Sequence, residues 1–215
     1  MGSLISKSPT SPEQQHTKNK LVTSDFDNPS YRESYTAQGY LLTKSRELAE
    51  IISNNIDKDK PITWEFSEEE LSQLKNSINR VRFIAHESGN ALFKRVFNYD
   101  QAFKCQVQAF QNFTKERVDS LFNTHADRVL CQVSQTIDNL NNVDYVFEQL
   151  KAIAVNHCNF SVNESHMDLM LCNFLEVVQR FDWECWCSSL EHVWIKFLEI
   201  VLAIIIVFMR NKLSK

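Results

Sequence analysis

From residue 62 onward the apolar positions of this chain recur at intervals of three and four, the period of one face of an α-helix. Leu71, Leu74, Ile78 and Val81 make the first stripe. Ser67-Glu68-Glu69-Glu70 precedes it as a capping box, in which the Ser67 hydroxyl accepts from an amide of the first turn and the Glu70 carboxylate reaches back. A second helix is predicted from Glu87 to Tyr99, with Leu92, Phe93, Val96 and Phe97 on its apolar face and Gly89 where another helix could cross closely. Val118, Phe122, His125, Val129, Val133, Ile137 and Leu140 mark a third stripe. Phe147, Leu150, Ile153 and His157 mark a fourth. Met167, Met170, Leu171, Phe174 and Val178 follow, then Leu190, Val193, Trp194, Phe197 and Val201. Six or seven amphipathic helices are expected, packed into one all-α domain.

Composition agrees. The four prolines are Pro9, Pro12, Pro29 and Pro61, and Gly89 is the one glycine beyond them; a long stretch without the two strongest helix breakers favours helix throughout. Residues 1–60 are rich in Ser, Thr, Asn, Lys and Gln, with one short helical candidate near Leu41 to Ile52, and read as a largely disordered extension. Residues 61–209 make the folded domain and 210–215 a basic tail. The net charge of −4 gives no reason to expect a nucleic-acid partner.

Two features point toward a membrane. Met1-Gly2-Ser3-Leu4-Ile5-Ser6 fits the N-myristoylation pattern, with Gly2 as acceptor. Ile200 to Met209 is apolar on every side and is followed by Arg210, Lys212 and Lys215. Ten helical residues reach only about 15 Å, half of the roughly 30 Å hydrocarbon core of a bilayer. The expectation is therefore an overlong final helix whose surplus apolar surface meets a membrane or a partner, as the second signal that stable anchoring requires. The protein would then sit at the cytosolic face of a membrane, the plasma membrane by preference. There the six cysteines, Cys185-Trp186-Cys187 being the one tight pair, are expected as reduced thiols.

The candidate chemistry is carried by His125 and His157. Each stands on the apolar face of its own helix, with Phe110 and Phe113 shortly before the first. Two imidazoles on facing helices beside a flat aromatic are what a haem clamp requires: one ligates the iron and the other guards or ligates the opposite face. A histidine on an apolar face can also be an ordinary core residue. His16, His86, His166 and His192 have no comparable setting. No nucleophile, paired carboxylate or phosphate loop is apparent, so an enzyme is not expected, although a haem redox activity is compatible with the pair.

The order of these segments from about Trp64 to Met209 resembles the globins. Gly89-Asn90-Ala91-Leu92-Phe93-Lys94-Arg95-Val96-Phe97 is similar to the globin B helix. Phe110 and Phe113 resemble the two corner phenylalanines, the first of which stacks on the haem. His125-Ala126-Asp127-Arg128-Val129-Leu130 resembles the distal segment. Leu150, Ile153 and His157 resemble the helix that ends in the proximal histidine. Val162 matches the apolar residue under the porphyrin edge, and Trp194 suits the last helix. Gln101 stands where globins commonly have a proline, so Val107 competes with Phe110 for the haem-stacking position. The long extension and apolar end look more like divergent invertebrate globins, nematode-like and acylated.

The resemblance implies a globin fold of six to eight helices and haem b (iron protoporphyrin IX) as cofactor. His157 would be the proximal iron ligand, and His125 the distal residue, either a hydrogen-bond donor or a sixth ligand. Phe93, Phe110, Phe113, Val129, Leu150, Ile153 and Val162 would form the haem walls. A diatomic gas (O2, NO or CO) is the implied ligand, a redox protein a possible partner, and sensing or electron transfer a better fit than bulk transport for a tethered chain. The competing expectation is a haem-free helical adaptor, anchored by its tail in the manner of the Bcl-2 regulators.

Overall fold

The structure is a computed structural model that describes residues 39–83 and 115–213, without the side chains at 115–119, 122 and 213. The expectations for Gly2, Phe93, Val107, Phe110 and Phe113 lie outside the described residues. Within them the chain is all helical: α1 Tyr40–Asp57, α2 Glu68–Phe83, α3 Lys115–Asp138, α4 Val143–Cys158, α5 Glu164–Phe181 and α6 Ser188–Leu213.

Local chemistry sets the boundaries. At α2 the capping box forms as its sequence demands: the Ser67 amide donates to Glu70 Oε2 at 2.7 Å and the Glu70 amide to Ser67 Oγ at 3.1 Å. Asn142 opens α4, its Oδ1 accepting from the Tyr145 amide at 3.1 Å. At α5 an Asn163–His166 box forms, with the His166 amide on Asn163 Oδ1 at 3.0 Å and the Asn163 amide on His166 Nδ1 at 3.2 Å. This capping role of His166 was not anticipated from the sequence.

The core lies around α6, against which α1, α2, α4 and α5 all pack. Trp194 is fully buried, its indole N–H donating to Ser77 Oγ of α2 at 3.0 Å, and its ring meets Phe174 and Phe197 edge to face at 5.8 and 5.7 Å. Leu74, Ile78 and Val81 of α2 pack into the same interior. Trp64, ahead of α2, stacks on Phe147 of α4 with centroids 6.1 Å apart and donates to the Leu140 carbonyl at 2.7 Å.

Two expectations are corrected here. In the extension expected to be largely disordered, the short helical candidate near Leu41 to Ile52 is α1, a longer helix of 18 residues laid on α6 and α5 as part of the folded domain. Its inner face is Leu41, Ser45, Ala49 and Ile52, all buried; the two small residues one turn apart let the backbones approach closely. Gly39 adopts a left-handed φ of 99° and brings no capping side chain. Asp168 of α5 replaces it, accepting from the Gly39 and Leu42 amides. Burial nevertheless pushes the Asp168 carboxyl up, and burial followed by the nearby Asp168 charge pushes the Cys172 thiol up to about 12.

The second correction concerns the end of the chain. Ile200 to Val207 are all buried, so α6 is apolar on every side because it is covered on every side. Across Ser188–Lys212 the helix is long and apolar enough to cross a membrane, but 72% of its most apolar 18-residue window is buried inside the protein. The surplus surface is occupied by α1 and α4. Of the basic tail expected at 210–215, Arg210 to Leu213 continue α6. Arg210 Nε donates to Glu164 Oε1 at 2.7 Å and its Nη1 to Glu50 Oε1 at 2.5 Å, while Arg46 of α1 donates to Glu164 Oε2 at 2.8 Å.

Glu164 therefore joins α1, α5 and α6. Burial alone would raise its carboxyl, but the hydrogen bonds from Arg210 and Arg46 outweigh burial and hold it below the usual 4.5. A carboxyl that binds its proton less readily folded than unfolded stabilises the fold above its unfolded pKa, and that contribution is lost as pH falls through the folded value. Urea denaturation between about pH 6 and about pH 3 should show stability declining with acid, and Glu164→Gln should make the decline shallower. An unchanged slope in the variant would remove Glu164 from the account.

Candidate haem site

His125 lies on α3 and His157 in the last turn of α4. The two helices leave the short turn at 139–142 without packing along their lengths, and their histidines face each other with ring centroids 6.1 Å apart and planes at 45°. Ile137 and Leu140 of the expected stripe are buried, whereas earlier in α3 the buried positions include Ala126, Leu130 and Ser134, one position round from it. His125, Val129 and Val133 are half-buried beside them.

His157 Nδ1 lies 2.8 Å from the Ile153 carbonyl oxygen, one turn back. A carbonyl can only accept, so Nδ1 carries the proton and donates. In the neutral ring that leaves the Nε2 lone pair bare, the form a metal requires, and the donated bond fixes the ring's orientation. His125 is kept neutral more strongly. Burial first, then the neighbouring His157 and Arg128 charges, lower its pKa to about 4. Leu150 is buried on the same helix as His157, and Ile153 and Val162 are half-buried near it. The structure thus brings His125, His157 and Ile153 together, while the placement of the four aromatic or turn positions from 93 to 113 is outside the described residues.

The pair fits a haem. A metal–imidazole bond of about 2 Å, plus about 1.1 Å from nitrogen to ring centre on each side, puts two imidazoles bound to opposite faces of one ion about 6 Å apart, centroid to centroid. The observed 6.1 Å matches this. The 45° tilt is no obstacle, because each ring plane contains its own metal–nitrogen axis and the planes are free to turn about it.

What secures the His157 helix from behind is a contact between residues far apart in the chain. Lys212 of α6 donates to the Val155 carbonyl at 3.0 Å and to Asn159 Oδ1, covering the C-terminal carbonyls of α4. In the sequence a lysine after an apolar run looks like a membrane flank, and only the register of α6 against α4 shows otherwise.

A helical domain that places two imidazoles 6.1 Å apart, centre to centre, has the makings of a haem protein, and the comparisons agree. The globin family model matches residues 89–205, more than half of the chain, and the chain belongs to the globin family. No curated protein sequence is similar enough to count as a relative. Among solved structures, a Drosophila melanogaster globin superposes with a TM-score of 0.58 at 21% identity, covering 65% of this chain and 93% of that one. A hexacoordinated heme protein from an anhydrobiotic tardigrade gives 0.60 at 17%, covering 67% and 96%. A hexa-coordinate hemoglobin of Drosophila melanogaster, described for cyanide binding and heme cavity transitions, gives 0.58 at 20%, covering 65% and 93%. At these identities the likeness establishes the fold, and α1 is an addition outside the stretch that the family model matches.

Proposed function

We propose that this globin holds haem iron from both faces, His157 on one side and His125 on the other, and serves in sensing a diatomic ligand or exchanging electrons rather than in bulk oxygen transport. The observation that carries the reading is the 6.1 Å separation of the two rings. A distal histidine that merely hydrogen-bonded a bound gas would need room for that gas between its ring and the iron, and therefore a wider separation. When bound, haem supplies an iron that can take a diatomic ligand or change oxidation state.

The protein's own residues do the rest. Ile153 orients His157 through Nδ1. Burial keeps His125 in its neutral, ligating form. Val129, Leu150, Ile153 and Val162 supply the apolar surroundings that exclude water, with Phe93, Phe110 and Phe113 assigned to the same wall from the sequence. A histidine that occupies the sixth position must leave before a gas can enter, which lowers apparent affinity by the fraction of sites already open and suits a sensor or redox protein better than a carrier. Two solved relatives in fold are described as hexacoordinate, which supports the same reading. A membrane tether and a cytosolic location now rest on the Met1–Ser6 start alone, since the end of α6 is enclosed by α1.

The test is the visible spectrum of the reduced haem-loaded protein beside His125→Leu. The wild type should show sharp, split visible bands. The variant should keep its Soret band, show one broad visible band, and bind carbon monoxide with at least about tenfold higher apparent affinity. A broad band in the wild type would overturn two-sided ligation and restore an open oxygen-binding site.

A further inference from the structure

The turn that joins α5 to α6 carries chemistry that the haem site does not use. It reads Asp182-Trp183-Glu184-Cys185-Trp186-Cys187. Both cysteines are free and exposed, and Trp183 beside them is 71% exposed. Asp182 anchors the turn: its carboxylate is buried and held by both Nε and Nη2 of Arg80 on α2, the second bond at 2.8 Å. Cys185 follows three residues later, its amide on the Asp182 carbonyl at 2.9 Å, within electrostatic reach of the Arg80 guanidinium. Cys187 stands at the cap of α6, its carbonyl accepting the Glu191 amide at 2.9 Å, where the amide dipoles of a 26-residue helix favour negative charge.

We infer that Cys185 and Cys187 form a redox site: a dithiol that closes reversibly to an intra-turn disulfide by exchange with a low-molecular-weight disulfide of the glutathione class. Residues two apart can lie no more than about 7 Å apart at Cα, close to the upper limit of about 6.8 Å for a disulfide, so closure needs a bent backbone, and Cys185 stands in a hydrogen-bonded turn. A ring closed across one intervening residue is strained, and strained, exposed disulfides are the easily reduced, regulatory kind. Metal binding is the weaker reading of the same thiols. Among the described residues no group of three or more His, Cys, Asp or Glu could hold an ion.

The exchange balances without another reactant. The Cys185 thiolate, beside Arg80, attacks one sulfur of the small disulfide, forming a mixed disulfide and releasing one thiol. Cys187 then attacks Cys185 Sγ, closing the intra-turn bond and releasing the second thiol. Two electrons and two protons pass from the cysteine pair to the small disulfide, which is reduced to two thiols. Trp186 stands between the two cysteines in sequence, its indole Nε1 buried and without a hydrogen-bond partner among the described residues, so closure should also shift tryptophan emission.

Full-length protein equilibrated with graded ratios of oxidised to reduced glutathione, alkylated and cleaved with trypsin, tests this. Cleavage after Arg180 and Lys196 releases residues 181–196, which contain these two cysteines and no other. That peptide should lose two hydrogens, escape alkylation, and recover both on reduction. It should do so reversibly, at a poise set by the square of reduced over oxidised glutathione, and reopen fully when reduced glutathione is restored, as a strained bond requires. Cys187→Ser should instead trap glutathione on Cys185. Separate glutathione adducts on both cysteines of the wild type, disulfide-linked dimers through this turn, or a closed form that reduced glutathione does not reopen would each overturn the proposal.

Discussion

Replacing His157 with alanine is expected to abolish the intense Soret band of the haem-loaded protein and to lower haem affinity by at least about 100-fold. Loss of a residue that merely supports a metal ligand already weakens metal binding about 10- to 100-fold, and His157 is assigned the ligand's own place. The substitution should spare the fold. His157 is half-buried in the last turn of α4, alanine is the best helix former, and Lys212 still covers the Val155 carbonyl. Far-ultraviolet circular dichroism should therefore be unchanged while the visible spectrum collapses. A retained Soret band in the variant would move the iron to His125 or to a residue outside the described segments, and a collapse of both signals would make His157 a structural residue. His125→Leu, which leaves the proposed proximal bond in place, separates the two roles.

The separation of 6.1 Å also shows where sequence reading succeeds and where it stops. Periodicity placed both histidines on the right helices and put the Leu74–Ile78–Val81 and Leu171–Phe174–Val178 stripes inside, because burying an apolar face is the dominant local constraint. The Ser67–Glu70 capping box was legible because its partners lie three residues apart. What stayed hidden was tertiary. Whether His125 approaches the metal position of His157 depends on the divergence of α3 and α4 after residue 138, and no residue type encodes that angle. The expected α3 stripe holds at Ile137 and Leu140 but is displaced by one position toward Ala126 and Leu130, since an alanine counts little in a hydrophobic pattern yet packs well where helices touch. Lys196, a charge inside the largely buried α6, pairs with Glu70 Oε1 at 2.8 Å and lies 4.5 Å from the centre of the Phe66 ring, contacts that no sequence spacing shows.

The largest misreading, the fate of the apolar end of α6, leads to an expectation of comparable size. Ile200 to Met209 has the same composition whether lipid or protein covers it, and the short helical candidate near Leu41 to Ile52 did not announce itself as its cover because half of its inner face is Ser45 and Ala49. Removal of residues 1–58 should therefore destabilise the domain severely. Burial of Leu41 and Ile52 alone contributes about 1.5–3 kcal/mol each, before counting the side of α6 laid bare and the Glu50–Arg210 and Arg46–Glu164 pairs. Against a total of about 5–15 kcal/mol for an ordinary domain, the shortened chain is expected to unfold at low urea, or to aggregate and bind lipid vesicles that the unacylated full chain ignores. A gentler version acts on the contact itself. Ala49→Leu inserts a branched side chain where Ala49 is 1% exposed and should lower stability by about 1–3 kcal/mol, whereas Ile51→Ser, at a position 57% exposed, should be nearly silent. If the shortened chain melts like the full one, α1 is an ornament and the exposed α6 is free for a membrane after all. If it fails while Ile51→Ser stands, the apolar end of this globin belongs to its own core, with α1 as the cover that the sequence concealed.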